Sequence, residues 1–146
     1  MSERKFKNEA AFQKWLVKQL REEFGESMLV VPTTMTGYGM SGVSDLLVCY
    51  FGMFWAIELK MDGKKPTPLQ MQFTMKVDRA GGRTAIPVTP NPNKDGNGGV
   101  DQFFDYLRAI KQFREGQQIV QSLTPDEAAE VLEEAKAIIA AEEDES

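Results

Sequence analysis

Asp45, Glu58 and Lys60 stand at the open end of the most apolar stretch of the chain, VSDLLVCYFGMFWAIELKMDG, residues 43–63. If Phe51 and Gly52 form a two-residue turn, Tyr50 pairs with Met53 and Asp45 falls directly opposite Glu58. Residues opposed in an antiparallel pair share a face, with Cβ atoms ~4.5–5.5 Å apart. Two carboxylates so placed repel, and one of them holds its proton more tightly, unless a cation sits between them. Hard oxygen ligands of this kind suit Mg²⁺ or Mn²⁺. Lys60, two residues beyond Glu58, shares its face of the strand. A slip of one residue in register would undo the pairing.

Two further polar residues point toward the same place. Glu9 precedes Phe12, Leu16 and Leu20 by 3, 7 and 11 positions, which sets it on the core-facing stripe of a first helix. Gln70 stands in the same relation to Phe73 and Val77 on a second helix. Glu-x-Lys alone is common by chance, and an acid in a first helical turn is favoured by the helix dipole alone. What carries weight is the joint pattern, because each polar group on a buried stripe costs ~1–3 kcal/mol unless it finds a partner.

Composition narrows the chemistry. The chain has no histidine, which excludes Ser-His-Asp and Cys-His catalysis and histidine-ligated zinc. Any catalysis must use carboxylates, lysine, tyrosine or a carboxylate-held metal. A single cysteine, Cys49, cannot form an internal disulfide and suits a reducing, cytoplasmic setting. No apolar run approaches the ~20 residues of a membrane helix, and the first residues carry no signal-peptide pattern. The net charge of −5 is unevenly spread. Residues 1–84 hold twelve Lys or Arg against nine Asp or Glu, whereas residues 85–146 hold five against thirteen. A polyanion-binding surface on the first part therefore remains compatible with an acidic chain.

The elements that must position these residues read as α-β-β-β-α-β-α-α, an α/β fold with a mixed sheet. A helix over 8–24, capped by Asn8 and stopped by Gly25, precedes a short buried strand at 28–32. A glycine-spaced loop, 33–42, carries Tyr38. The strands 43–50 and 53–61 form the hairpin, and a basic loop at 62–68 leads into a helix from Pro68 to about Ala80. A strand at 83–88, a polar loop at 89–99 and a helix near 100–114 follow. The loop imitates a calcium-binding loop but has Gln102 where the bidentate glutamate belongs. GKKPT lacks the upstream glycine of a P-loop, so no nucleotide cofactor is expected. Residues 115–141 read as a linker and an amphipathic helix, capped at Thr124, that could pack on its own domain, dimerise or dock a partner; 142–146 read as an acidic disordered tail.

This combination resembles the PD-(D/E)XK nuclease superfamily, and within it the virus-type replication-repair nucleases (VRR-NUC) and the Holliday-junction resolvases. The carrying residues are Glu9 in KNEAAF, Asp45 closing GVSD, Glu58 and Lys60 in FWAIELK, Gln70 in PTPLQMQF, and the following AGGRTAIPV. The resemblance covers roughly residues 6–110 and leaves 115–146 unaccounted for. The superfamily's proline before the aspartate is Ser44 here. It implies a restriction-endonuclease-like core with helices on both faces of the sheet. It also implies that Asp45, Glu58 and the Leu59 carbonyl hold Mg²⁺, with Mn²⁺ able to substitute. Lys60 then orients the attacking water and steadies the phosphate charge. Glu9 serves a second metal or a metal-bound water, and Gln70 positions water or Lys60. Lys64, Lys65, Lys14, Lys18 and Arg83 are candidate phosphate contacts, and Tyr38 could stack on a base. The expected function is a Mg²⁺-dependent DNA endonuclease, selective for junctions, flaps or nicks, acting as a homodimer and viral or mobile-element in origin. The alternative is a catalytically silent nucleic-acid-binding or protein-partner module on the same core.

Overall fold

Asn8 starts the first helix, α1 (Glu9–Phe24), by accepting the Ala11 N–H at 2.9 Å, and Gly25 ends it at a positive φ of 50°. Between these caps the four-residue recurrence of apolar side chains does what the sequence implies: Phe12, Leu16, Val17, Leu20 and Phe24 are buried. Each such burial stabilises the fold by ~1.5–3 kcal/mol. The computed structural model describes residues 3–33, 42–85 and 87–144. A single 3₁₀ turn, Gly25–Ser27, carries the chain from α1 into the sheet.

Four strands follow in spatial order β1-β2-β3-β4: Met28–Pro32, Leu46–Tyr50, Met53–Ile57 and Arg83–Thr84. The first three are antiparallel neighbours, and β4 joins β3 in parallel, so the sheet is mixed. Tyr50 pairs with Met53 and Leu46 with Ile57, the register expected from a two-residue turn. Phe51 and Gly52 both have positive φ, 47° and 74°. That is the signature of the type I′ hairpin turn, whose twist matches the strands.

The face carrying Met28, Val30, Leu46, Val48, Tyr50, Trp55 and Ile57 is buried. It lies against α1, where Phe24 meets Tyr50 edge-on with ring centroids 5.4 Å apart. The second helix, α2 (Pro68–Arg79), serves the other face. Thr67 and Gln70 cap it reciprocally, and Pro68 occupies its first turn. The expectation of helices on both faces is met.

Several elements differ from the sequence reading. The hairpin strands expected over 43–50 and 53–61 are shorter, Leu46–Tyr50 and Met53–Ile57, and the last helix continues to Asp144 through residues read as the start of a disordered tail. Strand 28–32 was expected to be buried, but Leu29 is 64% exposed because side chains alternate and this face of the sheet is open here; its β2 partner Cys49 is exposed as well. The strand expected over 83–88 ends at Thr84, and Pro87 has no N–H to give a ladder. Val88 nonetheless forms an isolated parallel bridge with Leu59. The helix expected near 100–114 runs from Val100 to Ser122, through the segment read as a linker. The residues there are mostly good helix formers, and one half-buried glycine, Gly116, does not break it.

The chain divides into two units, Met1–Tyr106 and Leu107–Ser146. The first holds α1, the sheet, α2 and the start of α3 (Val100–Ser122), with Phe104 stacked against Phe24 at 6.0 Å. The second holds the rest of α3 and α4 (Pro125–Asp144), which starts at a Thr124–Glu127 capping box and buries none of its side chains. Among the described residues no helix is long and apolar enough to cross a membrane.

Candidate functional site

β2 and β3 stop pairing at Leu46 and Ile57, and the next residues outward are Asp45 and Glu58. The backbone here is held from three sides. The Leu59 N–H, which has passed the end of the ladder, donates to Asp45 Oδ2 at 2.8 Å. Val88 donates to the Glu58 carbonyl at 2.8 Å and accepts from the Lys60 N–H at 3.1 Å, clamping the peptide on either side of Leu59. Thr33 holds the other strand: its N–H donates to the Asp45 carbonyl at 3.0 Å and its hydroxyl to the Ser44 carbonyl at 2.6 Å. Thr33 and Val88 are positioning residues that sequence reasoning passed over. Only their place in the folded register reveals them, since neither type advertises chemistry.

Glu58 is 1% exposed, an extreme burial for a carboxylate. Its Oε1 accepts from Gln70 Nε2 at 2.6 Å and lies 3.7 Å from Lys60 Nζ. Gln70 cannot turn its amide the other way without loss, because its Oε1 accepts the Thr67 N–H at 2.8 Å in the capping box. One side chain thus starts α2 and orients Glu58. The second carboxylate oxygen, Oε2, is buried with no hydrogen-bond donor among the described residues.

Desolvation first, then the adjacent Asp45 carboxylate, pushes the Glu58 pKa up to about 8, against a partly offsetting pull from Lys60. Metal-free and near neutral pH, the Asp45–Glu58 pair therefore keeps a proton that a lone carboxylate would have lost. Glu9, partly buried at the start of α1, is also raised, chiefly by burial and then by Asp45, while Lys60 pulls it down.

Asp45, Glu58, Lys60 and Gln70 are thus brought together, and Leu59 is in the same clamp. Glu9 is near enough to feel Asp45 and Lys60. It does not complete an acidic cluster: among the described residues no group of three or more His, Cys, Asp or Glu is arranged to hold a metal. Mg²⁺ does not require one, since it commonly binds through one or two carboxylates and keeps several waters. The Glu58 Oε2 without a donor, beside a second carboxylate, is a site that a cation satisfies while neutralising both acids. The residues fit a hard divalent ion held by Asp45 and Glu58.

The basic candidates fall on three separate elements. Lys64 and Lys65 are exposed in the loop before α2, and Lys14 and Lys18 are exposed along α1. Arg83 is on β4, at a cavity of about 280 Å³ lined by Trp55, Phe103 and Tyr106, away from the acids. Tyr38 lies outside the described residues. The calcium-loop imitation is an ordinary loop. Its Asn91 is fixed by Asp62 and by the Arg4 backbone, and Gln102 accepts the Gly98 N–H. No protein-family model, no curated protein and no solved structure matches the chain.

Proposed function

We propose that the protein is a Mg²⁺-dependent endonuclease of DNA, selective for junctions, flaps or nicks. The observation that carries the reading is the buried Asp45–Glu58 pair with its donorless oxygen, beside Lys60 and Gln70. Folding alone gives no reason to bury a carboxylate against a second one; metal-free the pair relieves the repulsion by keeping a proton, and a bound cation would take that proton's place.

In this reading Asp45 and Glu58, with the Leu59 carbonyl, hold the ion. The bound ion supplies Lewis-acid polarisation of the phosphate and an acidified water. Lys60 keeps its ammonium beside the acids, where it donates to a phosphate oxygen and stabilises charge as the bond breaks. Gln70 holds the Glu58 carboxylate in one orientation, so the site needs little reorganisation when substrate arrives. Glu58 releases its proton when the cation is bound. Glu9 adds negative potential at the mouth of the site and suits a water-mediated contact. Lys64, Lys65, Lys14 and Lys18 supply the sequence-independent attraction to the backbone.

The test incubates the protein with Mg²⁺ or Mn²⁺ and duplex, single-stranded, nicked, flap and four-way DNA, beside Lys60→Ala. Cleavage that needs the metal and falls ~10²-fold or more in the variant supports the reading. Binding without cleavage on every substrate and with either metal refutes it, and leaves the silent module.

A further inference from the structure

The last helix presents what a soluble helix ordinarily hides. Val131, Leu132, Ile138 and Ile139 are all close to or more than half exposed. They repeat seven residues apart, with Ala128 and Ala135 in step, and so make one apolar stripe two heptads long. Around it α4 carries eight Asp or Glu and a single Lys, a balance of −7.

The complement is in the first unit. Ala10, Lys14, Val17, Lys18 and Arg21 recur along one side of α1 and face Pro32 of the edge strand across a groove of about 510 Å³. Its floor is apolar and its rim carries three cations against one acid, Glu22, which Lys18 meets at 3.9 Å. An amphipathic helix laid in a groove buries its stripe on the floor and its charged flanks on the rim. The rim here is positive and the helix strongly negative.

We infer that α4 of one molecule docks in the α1 groove of a second copy. The alternative self-contact, α4 against α4, is disfavoured because it sets the acids flanking each stripe, Glu127, Glu130 and Glu134, against their own copies. A reciprocal exchange closes as a two-fold dimer in which the contact is made twice. It also covers Lys14 and Lys18, so α4 and a polyanion compete for one stripe.

The experiment is light scattering of the full chain without nucleic acid, so its outcome is independent of the nuclease reading. The expected mass is twice that of the chain at ~0.1 M salt, falling toward one copy at ~1 M as the charges are screened. Glu130→Lys with Glu134→Lys in α4 gives monomers, as does Lys14→Glu with Lys18→Glu in α1. Combining all four changes restores the dimer. Every altered side chain is exposed, and the restored dimer excludes misfolding as the cause. A monomeric parent chain, a dimer indifferent to either reversal, or a combination that stays monomeric overturns the inference.

Discussion

Glu58 and the α4 stripe break the same rule in opposite directions. Glu58 is a carboxylate sealed into the first unit at 1% exposure, while Ile138 and Ile139 stand in water on the second. The first unit can hold its misplaced group because everything around it is tied down. Val88, Thr33, Leu59 and Gln70 all bond to the strand ends or to the carboxylate itself. The last helix buries none of its side chains; its capping box and the exposed Glu133–Lys136 pair at 3.3 Å are local contacts within one element. A buried charge costs stability until a counter-charge arrives, and an exposed apolar stripe costs solubility until it is covered. Each is therefore a place where a ligand lowers the free energy, a small cation at the first and a protein surface at the second.

The sharpest way to break this contrast is through large-to-small substitution. Leu16 is fully buried in α1, so Leu16→Ala costs ~2–5 kcal/mol of unfolding free energy. Ile139→Ala in α4 removes an equally large apolar side chain that is 55% exposed. Measured in dilute, monomeric protein by urea titration, it changes stability by less than ~0.5 kcal/mol. Equal costs at the two positions would show that the stripe is already buried in the monomer, and the comparison would collapse.

The second prediction concerns pH and belongs to Glu58. Its folded pKa, about 8, lies above the ordinary 4.5, so the folded state binds the extra proton between those values. Stability of the metal-free protein is therefore greatest below about pH 4.5 as far as this group is concerned, and declines as pH rises toward 8. Glu58→Gln cannot ionise and flattens that decline. Added Mg²⁺ opposes it in the parent chain and has no such effect in the variant. Melting temperatures at several pH values, with and without the ion, decide this. A parent chain that gains stability from pH 5 to 8 without metal would contradict the assignment of the proton.

Much of the first unit was legible because its constraints are local. The Phe51-Gly52 turn dictates the register, and the register alone opposes Asp45 to Glu58. Gln70 could be singled out because a polar residue on an apolar stripe needs a partner, and that partner is Glu58. What stayed hidden depends on distant chain. Val88 clamps Leu59 across a loop, and no spacing rule announces a single parallel bridge. The open face beneath β1 and β2 decides that Leu29 is exposed, and nothing within its five residues reveals which face stays uncovered. The second unit was misread for the opposite reason. The polar run through Arg114–Ser122 is helical by propensity without an apolar period to mark it.

The smallest effect tests whether Glu58 is unusual within its own unit. Ser44, beside Asp45, is also fully buried and its hydroxyl has no partner among the described residues. If the first unit simply tolerated stray polar atoms, Ser44 and Glu58 would be two instances of one looseness. Their chemistry argues otherwise. A hydroxyl left without a partner costs ~1–3 kcal/mol and serves no cation, whereas the Glu58 oxygen faces a second carboxylate. Ser44→Ala therefore leaves metal-dependent cleavage intact and holds or raises stability by up to ~1 kcal/mol. Urea titration and the nicked-DNA assay on the same preparation measure both. A loss of cleavage at unchanged stability would make the Ser44 hydroxyl part of the site, and the donorless atoms of this unit would then have to be counted together.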